Sequence, residues 1–84
     1  MRLDVLLHEL RLYKSRSQAA LAIEEGQVLV AGRPAKASRD IEAGARLTMT
    51  GEWGTRTIEV LELPRRSMRK ADAHKLVREV PDQG

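Results

Sequence analysis

The stretch that decides the fold covers residues 15–30 and reads SRSQAALAIEEGQVLV. Ser15 and, three residues later, Gln18 form a capping box, a pattern that is typical of the start of a helix. The apolar run that follows predicts a helix over about 16–25, and Gly26 suits the left-handed position that ends a helix. Directly after this glycine the residues alternate as in a β-strand. A helix followed at once by a strand indicates a domain of mixed composition.

Another helix is predicted before this stretch, so the helix over about 16–25 is the second in chain order. Its apolar residues follow the i, i+3, i+4, i+7 spacing of a helix with one buried face: Leu3, Leu6, Leu7 and Leu10. The predicted helix covers about 3–12, with Asp4 in the first turn, where a negative charge is favourable. The small side chains of Ala19, Ala20 and Ala22 in the other helix allow the two helices to approach closely.

The rest of the first 63 residues predicts a small antiparallel sheet. The predicted strands cover 28–30, a short segment near 35–37, 46–50 and 55–63. A turn over 32–34 separates the first two strands, Ala43–Gly44 forms another turn, and Gly51–Gly54 connects a hairpin. The expected fold class is therefore α+β, with two N-terminal helices packed on this sheet.

The last 21 residues differ in character from the sequence before them. Residues 64–84 contain six basic and three acidic side chains, so we divide the chain into a domain over 1–63 and a basic C-terminal extension over 64–84. Helical spacing recurs at Ala73, Leu76, Val77 and Val80, and Pro81 follows as a stop. We expect a basic tail that contains a short amphipathic helix.

Several classes of function are not supported by the sequence. The chain has no cysteine, which excludes disulfides and thiolate metal sites and fits a reducing compartment. Charged residues interrupt the N-terminus before a signal sequence could form, and no uncharged run approaches the ~18 residues of a membrane span. We therefore expect a cytoplasmic protein that does not contact membranes.

Catalytic and metal-binding patterns are also lacking. His8 and His74 stand apart from any spacing of metal ligands, and Ser15 and Ser17 have no histidine partner that would make a nucleophile. We expect no metal, no cofactor, no small-molecule substrate and no enzymatic activity.

The basic residues are concentrated in one part of the chain. Between residues 11 and 39 there are six bases and two acids, although the net charge of the whole chain is only +3. Arg11, Lys14 and Arg16 surround the start of the second helix, whereas Arg33, Lys36 and Arg39 flank the first β-turn. If this turn packs beside the helix start, the two groups form one basic surface.

Such a surface suits phosphate groups. A helix N-terminus offers unpaired N–H groups and the positive end of the helix dipole. Arginine adds a fork of donors that matches phosphate oxygens, and Ser17 and Gln18 supply neutral donors. We therefore expect Lys14, Arg16 and Ser17 to face a phosphate that provides the negative charge missing from this helix start. Trp53, at the hairpin tip, either stacks on a base or covers a neighbouring strand residue.

The order of these motifs resembles the S-four-type RNA-binding domain, also called the αL motif. The resemblance rests on RLD at 2–4, SRS at 15–17, GQVLVAGRPAK at 26–36, SRDIEAGARLTM at 38–49 and RTIEVLEL at 56–63. Within that superfamily the chain is most similar to the heat-shock-protein-fifteen family and to related factors of ribosome-associated quality control. Two departures concern turns, because Ala31 and Ala45 replace the usual Asn and Asp. A third, Val5–His8, replaces a Trp-rich segment.

The resemblance implies RNA binding by the start of the second helix and the adjacent β-turn. It implies that the partners are the large ribosomal subunit, its ribosomal RNA and the tRNA of stalled complexes. Together with the charge pattern it predicts these RNA-binding residues: Arg2, Arg11, Lys14, Arg16, Ser17, Gln18, Arg33, Lys36 and Arg39.

Two other functions stay open at this point. The first is a protein-interaction adaptor that uses the acidic side chains Glu52, Glu59 and Glu62 of the strand region, or the tail helix. The second is an accessory RNA-binding domain of a larger RNA-modifying system, although a chain that starts at Met1 leads us to expect a stand-alone protein.

Overall fold

The computed structural model describes residues 1–65 and 70–80 of the chain. Its elements are helices α1 (Leu3–Glu9) and α2 (Arg16–Glu24), strands β1 (Val28–Val30), β2 (Arg33–Pro34), β3 (Arg46–Gly51) and β4 (Gly54–Val60), a 3₁₀ helix (Lys70–Leu76) and strand β5 (Val77–Val80). The strands form one antiparallel sheet in the order β2-β1-β3-β4-β5. The predicted α+β class, with two N-terminal helices and an antiparallel sheet, is confirmed.

The hydrophobic core lies between the two helices and one face of the sheet. Alternate strand residues are buried because successive side chains of a strand point to opposite faces. The core residues of the helices are Leu3, Leu6, Leu7, Leu10, Ala19, Ala22 and Ile23, and those of the central strands are Val28, Val30, Leu47, Met49, Ile58 and Val60. The helical spacing that predicted α1 therefore identified its buried face correctly.

Both helices end in the same hydrogen-bonded motif, but with different residues at its left-handed position. At the end of α2, Gly26 has φ +78° and its N–H donates to Ile23 O, as predicted for a glycine stop. At the end of α1, Arg11 has φ +63°, and the N–H of Leu12 donates to Leu7 O. This early left-handed residue is why α1 ends at Glu9 and not near residue 12 as predicted.

The turn between β1 and β2 lies earlier than predicted. Ala31 and Gly32 form its two central residues, with φ +52° and +81°, which is the backbone pattern of a type I′ hairpin turn. The register pairs Val30 with Arg33, so β2 follows the turn immediately. The predicted turn over 32–34 and the predicted strand near 35–37 are both shifted by about two residues from the observed positions. Pro34 is tolerated in β2 because β2 is an edge strand.

The predicted hairpin of β3 and β4 is confirmed. Gly51 pairs with Gly54, which leaves Glu52 and Trp53 as a two-residue loop. Strand β4 ends at Val60, three residues before the predicted end.

The C-terminal segment contains a short helix, but the predicted helical run across Val77 and Val80 is wrong. These two valines belong to β5, which pairs with β4 so that Val77 lies opposite Val60. The free edge of β4 offers backbone hydrogen bonds, and β-branched valines favour a strand in that environment. Ala73 and Leu76 do lie in the 3₁₀ helix and are buried. The predicted stop at Pro81 lies outside the described residues.

Candidate functional site

One buried carboxylate joins the first turns of the two helices. Asp4 of α1 is 3% exposed. Among the residues that the structure describes, it is the one charged residue that is buried. Its Oδ1 accepts from Nε of Arg2 at 3.2 Å, and its Oδ2 accepts from Nη2 of Arg2 and from Nε of Arg16, each at 3.2 Å. The backbone N–H of Val5 also donates to Oδ1 at 2.8 Å. We call Arg2, Asp4 and Arg16 the Asp4 cluster.

The cluster keeps Asp4 ionised. Burial alone would raise the pKa of Asp4, but the hydrogen bonds from Arg2, Arg16 and the Val5 N–H outweigh it and hold the pKa below its ordinary value. The side chains of Arg2 and Arg16 are 49% and 54% exposed. Two guanidinium groups therefore share one carboxylate, which leaves one positive charge in excess at a partly solvent-exposed position.

The start of α2 has the Ser15 half of the predicted capping box, and within residues 1–65 and 70–80 no hydrogen bond of the Gln18 side chain is recorded. Ser15 is the N-cap residue, and its Oγ accepts the backbone N–H of Gln18 at 3.1 Å. The first turn contains no acidic residue, and the side chains of Ser17 and Gln18 are exposed. The missing negative charge was expected from a phosphate, but in the free protein Asp4 already supplies part of it through Arg16.

The segment after β2 lies beside the first turn of α1. The N–H of Leu3 donates to Arg39 O at 2.8 Å, the N–H of Asp4 donates to Ala37 O at 3.1 Å, and Arg2 forms an antiparallel bridge with Asp40. These bonds satisfy N–H groups that the start of a helix leaves unpaired. They also bring Arg39 next to the Asp4 cluster along the backbone. Lys36 lines the same surface cleft as Arg2.

The other predicted contact residues lie outside the Asp4 cluster. Arg11 and Lys14 are exposed in the loop between α1 and α2, and Arg33 is exposed at the start of β2. Within residues 1–65 and 70–80, no hydrogen bond or ion pair connects these three side chains to the Asp4 cluster. The two basic groups of the sequence are thus linked through the first turn of α1, by the Arg16–Asp4 bond on one side and the Asp4–Ala37 and Leu3–Arg39 bonds on the other.

Two features of the sheet bear on the other functions considered above. Trp53 is 64% exposed, and its indole lies over Gly51, where an added Cβ would come within 2.7 Å of Nε1. The tryptophan therefore covers a strand neighbour, and base stacking stays a prediction.

Of the three acidic residues proposed for an adaptor, Glu59 alone lies on a strand, where Arg78 donates to it at 2.6 Å.

The residue that sequence reasoning missed is Asp4 in its bridging role. It was assigned only a local effect on α1. Two features of the sequence could have indicated this role. The first turn of α2 has no acidic residue, and Asp4 is the one acidic residue before Glu9. That Asp4 meets Arg16, twelve positions later, depends on how the two helices pack.

Metal-ligand clusters and helices that could span a membrane are both absent from the described part of the chain, 1–65 and 70–80. No group of three or more His, Cys, Asp or Glu side chains there could hold a metal ion. None of its helices has the length and apolar character that a membrane span requires.

Comparison with known proteins gives consistent matches. The family model of the S4 domain matches residues 1–47. The chain is 38% identical over 63 residues to the RQC P-site tRNA stabilizing factor of Bacillus subtilis (strain 168), a match that covers 75% of this chain and 73% of that protein.

Solved structures agree with the sequence matches. A trimeric structure of Heat Shock Protein 15 from Vibrio cholerae superimposes with a TM-score of 0.87 at 34% identity, covering 95% of this chain and 81% of the other. The solution structure of the hypothetical protein HP1423 gives a TM-score of 0.80 at 26% identity, covering 99% of this chain and 100% of the other.

Proposed function

Because the chain belongs to the S4 domain family, we propose that it is a non-enzymatic RNA-binding protein that acts on the large ribosomal subunit. It recognises ribosomal RNA and tRNA in stalled complexes of the subunit with peptidyl-tRNA, during ribosome-associated quality control. The Bacillus subtilis relative is named for stabilising P-site tRNA, which supports this proposal. A protein with this role works in the cytoplasm.

The observation that carries the proposal is the Asp4 cluster. Arg16 donates to Asp4 through Nε, so both of its Nη groups are left for a phosphate. Arg2 uses Nε and Nη2 on the same carboxylate, which leaves Nη1. Since the carboxylate already fixes both guanidinium groups, less side-chain freedom is lost when RNA binds. A phosphate at this point also meets the positive end of the α2 dipole.

The proposed RNA surface extends outward from this centre. Its contacts are the predicted set: Arg2, Arg11, Lys14, Arg16, Ser17, Gln18, Arg33, Lys36 and Arg39. Those nearest the start of α2 bind phosphates directly, and those after the β1–β2 turn contact the neighbouring backbone. Because phosphate contacts carry little sequence information, this surface sets the position of the RNA and most of its affinity.

Replacement of one arginine tests the surface. Arg16→Ala is expected to weaken binding to a tRNA or to a large-subunit ribosomal RNA fragment by about 1–3 kcal/mol, because a charge-assisted contact is lost. Arg56→Ala is the matched control. Arg56 is also partly exposed and paired with a carboxylate, that of Glu79, but it lies in β4 outside the proposed surface. Equal loss of affinity in both variants would contradict the assignment.

A salt titration tests the mode of binding. Contact with several phosphates predicts that affinity falls by about 10³-fold or more between about 50 and 200 mM salt, as counterions are released. Co-sedimentation with large subunits measures the proposed partner directly. An affinity that hardly changes with salt would favour a protein partner over RNA.

A further inference from the structure

A cleft of about 480 Å³ opens between the end of α2 and the segment that follows β2. Its lining includes two basic residues, Arg2 and Lys36, one acidic residue, Glu24, and the apolar residues Pro34 and Ala35. Its volume falls within the range of about 300–1,000 Å³ that is typical of sites for small organic groups. A site that only attracted phosphate oxygens would need neither this volume nor the apolar wall.

Three residues that line the cleft have backbone donors that the protein does not use. Lys36, Ala37 and Ser38 belong to its lining, and within residues 1–65 and 70–80 none of their N–H groups donates to another residue. Their segment is nevertheless fixed, because Lys36 O accepts from Arg39 and Ala37 O accepts from Asp4. Three residues that line the cleft therefore carry unused backbone donors, on a segment that is anchored to the first turn of α1.

Glu24 is the feature that a simple phosphate site does not explain. It shares the cleft with Arg2 and Lys36, yet in the described part of the chain it forms no ion pair or hydrogen bond through its side chain. A carboxylate beside two cations weakens the attraction for phosphate. A carboxylate does, however, accept a hydrogen bond from an exocyclic amino group such as N4 of cytosine. Uracil presents an acceptor, O4, at the same position and cannot donate to the carboxylate there.

We propose that this cleft binds a single unstacked nucleotide of the bound RNA and that Glu24 selects cytidine over uridine there. This inference rests on the proposed RNA-binding function and adds base selection to it. Arg2 and Lys36 hold the phosphate, the apolar wall contacts the ribose or base, and Glu24 accepts from the amino group. Bases displaced from a stack are commonly recognised in this way at their exposed edges.

The test compares oligocytidine with oligouridine of equal length, for the intact protein and two variants. Glu24→Ala removes the carboxylate of the cleft. Glu25→Ala is the matched control, because Glu25 is exposed, lies next in sequence outside the lining and changes the net charge equally. The intact protein and Glu25→Ala are expected to prefer oligocytidine by about tenfold. Glu24→Ala is expected to bind both oligonucleotides alike.

A second readout locates the bound nucleotide. Titration with cytidine 5′-monophosphate is expected to shift the amide resonances of Lys36, Ala37 and Ser38 more than uridine 5′-monophosphate does at equal concentration. Equal shifts from both nucleotides, or from inorganic phosphate alone, would overturn base selection.

The outcomes separate this inference from the proposed function. Salt-sensitive binding of both oligonucleotides without a preference, or equal effects of Glu24→Ala and Glu25→Ala, would reject the inference and leave RNA binding in place. If the intact protein binds neither the two oligonucleotides nor ribosomal RNA, both the inference and the proposed function are rejected.

Discussion

Asp4 links the stability of the fold to the proposed RNA surface through a single side chain. Its carboxylate is buried, so it depends on its hydrogen-bond donors, and the two arginines depend on it for their orientation. Removal of a buried acceptor of this kind lowers the free energy of unfolding, because the charged donors Arg2 and Arg16 are left without their partner. The same residue therefore influences the folded state and the geometry of the proposed surface.

Asp4→Asn is expected to destabilise the protein by about 1–3 kcal/mol and to weaken RNA binding, since an amide supplies one acceptor oxygen and no charge. Denaturant unfolding and RNA titration measure the two effects. Glu9→Gln removes an exposed charge from the same helix and is the control. If the two variants prove equally stable, Asp4 does not hold the arginines in place.

The pH dependence of stability follows from the sign of the Asp4 pKa shift. Since the pKa is lower in the folded state, the contribution of Asp4 is complete above its unfolded pKa of about 3.9 and is lost as the pH falls through the folded value. The difference in unfolding free energy between the intact protein and Asp4→Asn is therefore expected to be constant near neutral pH and to shrink below about pH 4. Denaturant unfolding across this range measures it. A difference that grows in acid would reverse the assigned sign.

At the scale of elements, the C-terminal ends of α1 and α2 can be compared directly. Both have the same hydrogen-bond pattern, with glycine at the left-handed position after α2 and Arg11 at the corresponding position after α1. A side chain in the left-handed region costs about 1–2 kcal/mol, whereas glycine is hardly penalised. Gly26 could therefore be predicted from the sequence, but Arg11 could not, because arginine carries no local preference for this conformation.

Arg11→Gly is expected to raise the unfolding free energy by about 1 kcal/mol and at the same time to weaken RNA binding. Gly26→Ala, at the matching position of α2, is expected to lower stability by a similar amount. Thermal unfolding and RNA titration of both variants measure these changes. A loss of stability in Arg11→Gly would mean that the arginine contributes structural contacts beyond its backbone strain.

The β1–β2 turn offers a second test at this scale. Ala31 occupies the first central position of a type I′ turn, where asparagine is preferred because it tolerates positive φ. Ala31→Asn is expected to stabilise the protein by about 0.5–1 kcal/mol. Ala45→Asn is the control, because Ala45 does not have positive φ. No difference in melting temperature between the two variants would argue against the observed turn type.

At the scale of the whole molecule, the sheet extends beyond the predicted domain boundary. Strand β5 covers the edge of β4, and Arg78 and Glu79 form ion pairs with Glu59 and Arg56 across the two strands. Local spacing could not reveal this arrangement. Val77 and Val80 lie three residues apart, a separation that fits one face of a helix but places them on opposite faces of a strand. The exposed edge of β4 decides between the two, and that edge exists only after folding.

Truncation tests the contribution of β5. A chain that ends at Leu76 is expected to lose about 2 kcal/mol or more of stability, because β4 loses its backbone partners along one edge and the cover of Val60 is reduced. A chain that ends at Val80 keeps β5 and is the control. Equal melting temperatures for the two chains would show that β5 is dispensable.

The division between 1–63 and 64–84 stays a prediction, and cooperative unfolding of a fragment ending at Leu63 would support it.

The hydrogen bonds of the Asp4 cluster have a consequence for spectroscopy. Both arginines donate their Nε–H to the same buried carboxylate. A proton held in this way exchanges with water more slowly than the Nε–H of a freely solvated arginine. In ¹⁵N-labelled protein, Arg2 and Arg16 should therefore give two persistent side-chain resonances, well separated from the backbone amides. The molecule thus carries its own pair of reporters at the centre of the proposed RNA surface, and their signals would show the arrival of a phosphate without any attached probe.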